Sequence, residues 1–282
     1  MNSKTNIREP VVQGLFYPAS KDSLLKMISK MINFADSILR EDAKLFGLIS
    51  PHAGYVYSGS CAAFGYKLLK NLNFDTIIII GPAHSAYIDG ASVWSKGGFK
   101  TPLGIAQIDE EISNLLISEN SRINNSIVPH IEEHSIEVQI PFLQFVLKNN
   151  FKIVPIVMGN QTLEYSKIVA NSISDILNRF SEKRFLIIAS SDLSHYHSSE
   201  VAQRLDNAVV DRIRNLDIEG LNEIIEEGKG EACGIGPILV LLFLCKNFNV
   251  NIVEILNLTN SGEISGDKTR VVGYLSAAFY KK

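Results

Sequence analysis

The stretch that decides the fold covers residues 44–66 and reads KLFGLISPHAGYVYSGSCAAFGY. It begins with an apolar run that ends at Ser50, turns through Pro-His-Ala-Gly, and continues as a helical pattern of small and apolar residues. Strands that alternate with helices are typical of a parallel sheet. The turn carries His52, two residues past the predicted strand end.

The same alternation recurs along the chain. The further strand-like runs are TIIIIG (76–81), KIVPIVM (152–158) and RFLIIAS (184–190). Helical patterns cover residues 58–72, 109–118, roughly 135–147, 163–180 and 199–216. No stretch has the Gly, Pro and Ser content of a flexible linker. We therefore predict an α/β fold in one domain, residues 1–282, with a largely parallel or mixed sheet flanked by helices.

Two other segments resemble hairpins. Gly97 and Gly98 stand between two short β-like runs, which predicts a turn that joins them. Near the C-terminus, NIVEILNLT and TRVVGYLSAAFY are joined by the turn-rich NSGEISGDK (260–268). We expect this second loop to lean over a site.

Composition excludes several classes of protein. The 282 residues are 46% hydrophobic, with a net charge of −3 and no stripe of Lys and Arg, so nucleic acid is not an expected partner. No apolar run approaches the roughly 20 residues that span a bilayer, and the N-terminus lacks an apolar leader. An odd count of three cysteines argues against a disulfide framework. A cytoplasmic protein with reduced thiols is expected, and a homo-oligomer stays open.

Histidines follow three of the predicted strands. His52 and His84 come after the first and second strand runs, and Asp192 and His195 come after the fourth. Ligand crevices in parallel sheets lie beyond the carboxyl ends of the strands. A single histidine after a strand is more often a surface or capping residue, but three in the same position predict a shared site. His197 lacks this register.

A cysteine offers a fourth candidate group. Cys233 lies just before an apolar helix whose start is marked by Gly and Pro, where the helix dipole favours a thiolate. A thiolate is a metal ligand or a nucleophile, whereas a buried thiol is only a small hydrophobe. We expect that second description to hold for Cys61 and Cys245.

A further histidine stands beside a predicted helix start. In IEEHSIEVQIPFLQFVL, Ser135 is a plausible N-cap, and Glu133 and His134 lie just outside the helix. These two side chains either face the pocket or only cap the helix and pair with neighbours.

Taken together, several ordered motifs make the chain resemble the MEMO family, which includes the mediator of ErbB2-driven cell motility and protein B of the AmmeMemoRadiSam system. The motifs are REPVVQGLFYPAS, SPHAGYVYSGSCAAFGY, GPAHSAY, EEHSIEVQIPFL, VPIVMG, SSDLSHY, ACGIGPI and SGDKTRVVGYLSAAF, in that order. The family is similar in fold to class III extradiol dioxygenases, which hold non-haem iron through two His and one Glu.

The resemblance implies roles for individual residues. His52 and His84 correspond to the imidazole ligands, Cys233 stands where the dioxygenase carboxylate would be, and His195 corresponds to the acid/base histidine. Two aromatic positions near the family pocket are matched by Tyr57 and Phe16; the best-known animal member has Trp at the latter.

Three functions are compatible with these residues. The leading hypothesis is an iron- or copper-binding protein with oxidoreductase-like activity, in which Asp192 orients His195 or shares protons with it. The second is a non-catalytic module that binds a peptide or small ligand in a vestigial dioxygenase pocket, with Lys268 and Arg270 as the cations that its motifs offer. The third, a zinc hydrolase, ranks lowest because no HExxH or CxxC spacing is present.

Overall fold

Twelve strands form one sheet within residues 6–282, the part of the chain that this computed structural model describes. In chain order they are β1 (Ile7–Arg8), β2 (Lys44–Ser50), β3 (Thr76–Pro82), β4 (Ala91–Val93), β5 (Gly98–Thr101), β6 (Gly104–Ile108), β7 (Ile123–Asn124), β8 (Lys152–Met158), β9 (Phe185–Ser190), β10 (Asp192–His197), β11 (Ile252–Asn260) and β12 (Val271–Lys281). The helices are α1 (Lys21–Phe34), α2 (Tyr55–Lys67), α3 (Glu110–Glu119), α4 (Val128–Ile131), α5 (Ile140–Val146), α6 (Leu163–Arg179), α7 (Ser199–Arg214), α8 (Ile218–Glu226), α9 (Ile235–Asn247) and α10 (Gly262–Ser265), with a 3-10 turn at Glu137–Gln139.

The sheet is mixed, with a parallel centre. Its strand order is β1-β5-β6-β8-β3-β9-β2-β12-β10; β11 pairs with β12, β4 pairs with β8, and β7 pairs with β4. Neighbours from β6 to β2 run parallel, whereas β12 is antiparallel to β2, β10 and β11. The predicted α/β class is confirmed. The carboxyl ends of the central strands lie side by side, because Ser50 pairs with Ser190 and Pro82 with Met158.

Two apolar layers cover the sheet. Ile77 and Ile79 of β3 point into the layer that includes α1, α2 and α5, and Ile78 and Ile80 point into the layer that includes α6, α7 and α9. All seven residues of β3 are buried. Burial of each isoleucine side chain stabilises the folded state by roughly 1.5–3 kcal/mol. Because helices cover both faces of the sheet, the central strands are apolar on both faces.

Most predicted helices form, with shifted ends. The helix predicted over 58–72 begins at Tyr55 and ends at Lys67. The one predicted over 135–147 is divided into the 3-10 turn and α5. Four helices were not predicted: α1, which begins after an N-cap at Ser20, α8, and the one-turn helices α4 and α10.

The two hairpin predictions have opposite outcomes. The C-terminal one is confirmed, since β11 and β12 pair along almost their whole length. The one at Gly97-Gly98 is wrong, because β4 pairs with β8 and the hairpin is instead β5–β6, with its turn at Pro102 and Leu103. Gly97 has a φ of 74°, and its bare Cα admits the backbone of Asn6, which leads into β1.

Candidate metal centre and cavity

The predicted site lies at the carboxyl ends of β2, β3 and β9. His52 follows β2, His84 follows β3, and Cys233 immediately precedes Gly234, the N-cap of α9. One ligand atom from each of these three residues lies within 4.8 Å of the other two. The structure therefore brings together the three groups that the family resemblance implies as metal ligands.

The His52 ring is fixed by a serine of the neighbouring strand. Its Nδ1 lies 2.9 Å from Ser190 Oγ, and that hydroxyl donates to the Ser135 carbonyl at 2.7 Å. Gln139 Nε2 donates to the same hydroxyl at 2.8 Å. A serine has one proton to donate, so Ser190 must accept from His52 Nδ1. The lone pair of His52 therefore lies on Nε2.

The His84 ring is fixed by a buried carboxylate. Its Nδ1 lies 2.9 Å from Glu133 Oε1, and its backbone N–H donates to Glu133 Oε2 at 2.6 Å. Ser135 N–H also donates to Glu133, at 2.8 Å. Burial alone would raise the pKa of Glu133, but these bonds lower it to about 2. An ionised Glu133 keeps the proton on Nδ1 and leaves Nε2 of His84 free to bind a metal.

The sulfur of Cys233 lies beside this lone pair. Its Sγ is 3.1 Å from His52 Nε2, and it accepts a hydrogen bond from the Asp192 backbone N–H at 3.2 Å. Burial, with the nearby charge of Asp192, raises the pKa of the Cys233 thiol. This burial opposes the thiolate that the sequence predicts from the α9 dipole. Cys61 and Cys245 are buried, as predicted.

The donor set fits a transition metal. Two imidazole nitrogens and one sulfur converge, and each imidazole has its other nitrogen bonded to an outer partner. The group His84, Glu133 and His134 also lies within 4.8 Å, but Glu133 already accepts three hydrogen bonds there. We therefore interpret Glu133 as a support for His84.

His134 forms part of the cavity wall. Its ring stacks on that of His84 at a centroid distance of 4.6 Å and meets the edge of Phe16 at 5.0 Å. Burial lowers the pKa of His134. The sequence predicted that Ser135 caps a helix. In the structure its hydroxyl instead donates to the carbonyl of Pro82.

A buried ion pair supports this wall from behind. Arg8 Nη1 lies 2.6 Å from Glu137 Oε2, and both side chains are almost fully buried. Arg8 also donates to the carbonyls of His130 and Glu133. Glu137 accepts from Tyr17 Oη at 2.6 Å. The N-terminal segment is thus fastened to the segment that presents Glu133 and His134.

Asp192 does not orient His195, contrary to the sequence-based hypothesis. Its Oδ1 accepts from the His52 backbone N–H at 2.7 Å, while His195 Nδ1 is bonded to the Leu193 carbonyl at 2.8 Å. Burial raises the pKa of Asp192 to about 7, against the lowering effect of backbone bonds from His52 and Ala53. Asp192 thus holds the backbone of His52.

His195 lies in a strand and not in a loop after β9. Strand β10 pairs with β12, and the register shifts on both sides of His195. Tyr196, the next residue, has a φ of 64°, which is uncommon for a residue with a side chain. Burial lowers the pKa of the His195 imidazole.

The histidines and Asp192 line a cavity of about 760 Å³, whereas Cys233 is not among the lining residues. Its lining includes Phe16, His52, Tyr57, His84, His134, Asp192, His195, Tyr196, Asp267, Arg270 and Tyr274. Ser261, Ser265, Asp267 and Arg270 belong to the region that joins β11 to β12, as expected of that loop. Sequence reasoning missed Ser190, Gln139 and Tyr196; Ser190 could have been noticed as a polar residue that ends an apolar strand.

Among residues 6–282, no helix is both long enough and apolar enough to cross a membrane.

Comparison with known proteins identifies the family. The family model described as Memo-like protein matches residues 8–278. A MEMO1 family protein of Sulfurisphaera tokodaii is 41% identical over 97% of this chain and 99% of its own, and one of Thermoplasma volcanium is 41% identical over 96% and 97%. The uncharacterized protein JW3007 of Escherichia coli K12 has a similar fold, with a TM-score of 0.53, 12% identity, and coverage of 83% of this chain and 99% of that one. The chain thus belongs to the Memo-like family.

Proposed function

We propose that this protein binds iron or copper through His52, His84 and Cys233 and acts as a metal-dependent redox protein. The observation that carries the proposal is the convergence of three donor atoms within 4.8 Å, with the outer nitrogen of each imidazole already bonded. Such outer partners are typical of metal-binding histidines.

The donor chemistry selects among metals. Imidazole and thiolate together suit copper and iron, and zinc accepts the same donors but undergoes no redox change. When bound, iron or copper would supply one-electron exchange and open coordination positions. Cysteines without disulfides fit a reducing compartment, and we infer the cytoplasm.

The protein's own residues prepare the site. Ser190 and Glu133 keep the Nδ1 protons in place, so the lone pairs on Nε2 of His52 and His84 need no reorganisation. The Asp192 N–H stabilises negative charge on the Cys233 sulfur. His195 donates its Nδ1 proton to Leu193 and keeps Nε2 as a proton acceptor at the cavity wall.

Metal analysis after anaerobic purification, combined with EPR, tests the proposal. Wild-type protein is expected to take up one equivalent of Fe or Cu, with a signal that changes on reduction. The variant His52→Ala/His84→Ala/Cys233→Ser is expected to lose it. Each of the single changes His52→Ala and His84→Ala should weaken binding strongly without unfolding, because both residues lie outside the strands.

A matched control removes one imidazole and one thiol elsewhere. His197→Ala/Cys61→Ala should retain the metal, since neither residue belongs to the converging group. The proposal is wrong if wild-type protein binds no more Fe or Cu than the triple variant.

The alternative is a non-catalytic module that binds a small ligand or peptide. The observation in its favour is the cavity of about 760 Å³ with aromatic side chains in its wall. Saturable ligand binding to metal-free protein, without ligand turnover when Fe or Cu is added, would support this alternative.

A further inference from the structure

The mouth of the cavity carries a cation without an anionic partner. Arg270, the residue before β12, lines the cavity together with the histidines. Among the described residues it forms no ion pair and no side-chain hydrogen bond. Lys268, two residues earlier, differs because it pairs with Glu263 at 3.1 Å and does not line the cavity.

An aromatic ring holds the guanidinium by its face. Arg270 Cζ lies 5.3 Å from the centroid of the Tyr196 ring. Tyr196 has its backbone in the left-handed region and its residue surface 65% exposed. Such strained conformations are concentrated at functional sites. A guanidinium held over an aromatic ring keeps its N–H donors at the edge of the guanidinium plane, where they can bond to an acceptor that lies in that plane.

Two carboxylates line the cavity, and each accepts hydrogen bonds from groups other than Arg270. Asp267 also lines the cavity, but its Oδ1 accepts from the backbone N–H and the hydroxyl of Thr269 at 2.9 and 2.7 Å. Asp192 accepts from the His52 backbone. The remaining ionisable groups of the lining are imidazoles and tyrosines. Neither carboxylate of the lining therefore forms an ion pair with Arg270 in the described part of the chain, although the bonds from Thr269 lower the pKa of Asp267 and keep it ionised.

We propose that Arg270 binds the carboxylate of a small aromatic acid whose opposite end faces His52 and His84. A planar carboxylate matches the fork of a guanidinium with two hydrogen bonds. The walls formed by Phe16 and Tyr57 suit a planar apolar body. Only the placement of the opposite end of the ligand near His52 and His84 rests on the proposed function. Binding of the carboxylate by Arg270 needs no metal.

Ligand-observed NMR titration of the metal-free full chain tests the proposal. The probes are benzoate, its neutral analogue benzamide, and phenyl phosphate. Wild-type protein is expected to bind benzoate more tightly than benzamide. Arg270→Met should weaken benzoate binding by about 10- to 100-fold and leave benzamide binding unchanged, while Arg270→Lys should fall between.

Lys268→Met provides the matched control, because it removes the same charge from the same loop. It should leave benzoate binding unchanged. The proposal is overturned if benzoate does not bind wild-type protein, if Arg270→Met binds it equally well, or if Lys268→Met loses as much affinity. Tighter binding of phenyl phosphate than of benzoate would assign the subsite to a phosphate ester instead.

Metal titration of the same variants separates this inference from the proposed function. Arg270→Met should bind Fe or Cu like wild type, since Arg270 is not one of the three converging donors. Absence of metal binding in wild-type protein would overturn the redox proposal and leave the result for benzoate unaffected.

Discussion

The floor and the mouth of the cavity are built in different ways. At the floor, His52 and His84 line the cavity, and these two residues and the neighbouring Cys233, which does not line it, each have a hydrogen-bond partner that is itself bonded or part of a buried backbone. At the mouth, Tyr196 and Arg270 are exposed and contact each other mainly through the ring face. The fixed donor positions of the floor suit the proposed metal ion, and the exposed side chains of the mouth suit the proposed binding of a ligand.

The strongest test of a rigid floor is to break the ion pair behind it. Arg8→Met leaves Glu137 buried without its charge partner, so we expect the free energy of unfolding to fall by about 3–5 kcal/mol. Urea denaturation measures this. Arg40→Met, which removes an exposed ion pair with Asp42, should cost less than about 1 kcal/mol. Equal losses in the two variants would mean that the wall does not depend on the pair.

The outer partners provide a sharper test of the floor. Ser190→Ala removes the acceptor of the His52 Nδ1 proton, and Glu133→Gln replaces the charged acceptor of the His84 Nδ1 proton with a neutral amide; each should weaken Cu(I) or Fe(II) binding by about 10- to 100-fold. Competition titration against a chelator measures the affinity. Ser113→Ala, a change at another buried serine far from the metal ligands in sequence, serves as control. Unchanged affinity in both site variants would show that the ligands are held by packing alone.

A third prediction concerns the support of β10 near the mouth. Asp206 of α7 accepts from the Ser194 N–H at 3.0 Å, and burial raises its pKa from 3.8 to about 6. Because the folded-state pKa is raised, the neutral carboxyl is favoured on folding; this contribution is full below about pH 4 and is lost as the pH rises through about 6. Over that pH range, the free energy of unfolding of wild type should fall by about 1–3 kcal/mol relative to that of Asp206→Asn.

Urea unfolding of both proteins at a series of pH values measures this difference. The exposed Asp211 lies on the same helix, and Asp211→Asn serves as control, with a pH profile like that of wild type. Parallel profiles for wild type and Asp206→Asn would contradict the prediction.

The smallest effect is expected at His195. Its ring bonds to Leu193 and is not one of the three converging donors, so His195→Ala should change metal affinity less than about threefold while any turnover is lost. Metal titration beside an activity assay separates the two. If His195→Ala loses as much metal affinity as His84→Ala, His195 is a metal ligand and belongs to the floor of the cavity.

The sequence predicted the floor better than the mouth. His52 and His84 follow long apolar strands, and the position of a strand end in a parallel sheet is determined by local pattern. The helix start after Cys233 favoured a thiolate, and the family resemblance supplied its metal role, but burial of the sulfur raises the pKa of its thiol and opposes the thiolate. Local sequence reports the helix dipole and does not report how deeply the sulfur is buried.

The mouth depends on long-range pairing. The apolar run of β9 ends at Ser190, and the polar residues that follow resemble a loop, yet residues 192–197 form a strand because β12 lies beside them. The irregular register that turns Tyr196 outward arises from that pairing. The mistaken hairpin at Gly97 has a similar cause, since the glycine is required by the approach of Asn6.

Strand β12 has three partners at once, and this restricts where the chain tolerates a change of length. It pairs with β10 near its start, with β2 near its end, and with β11 along its other edge. An inserted residue within β12 would reverse the facing of every later side chain against two neighbours. Insertions between β11 and β12 leave all three pairings intact. We expect relatives to differ in length at this loop, so that ligand range diverges while the metal donors stay in place.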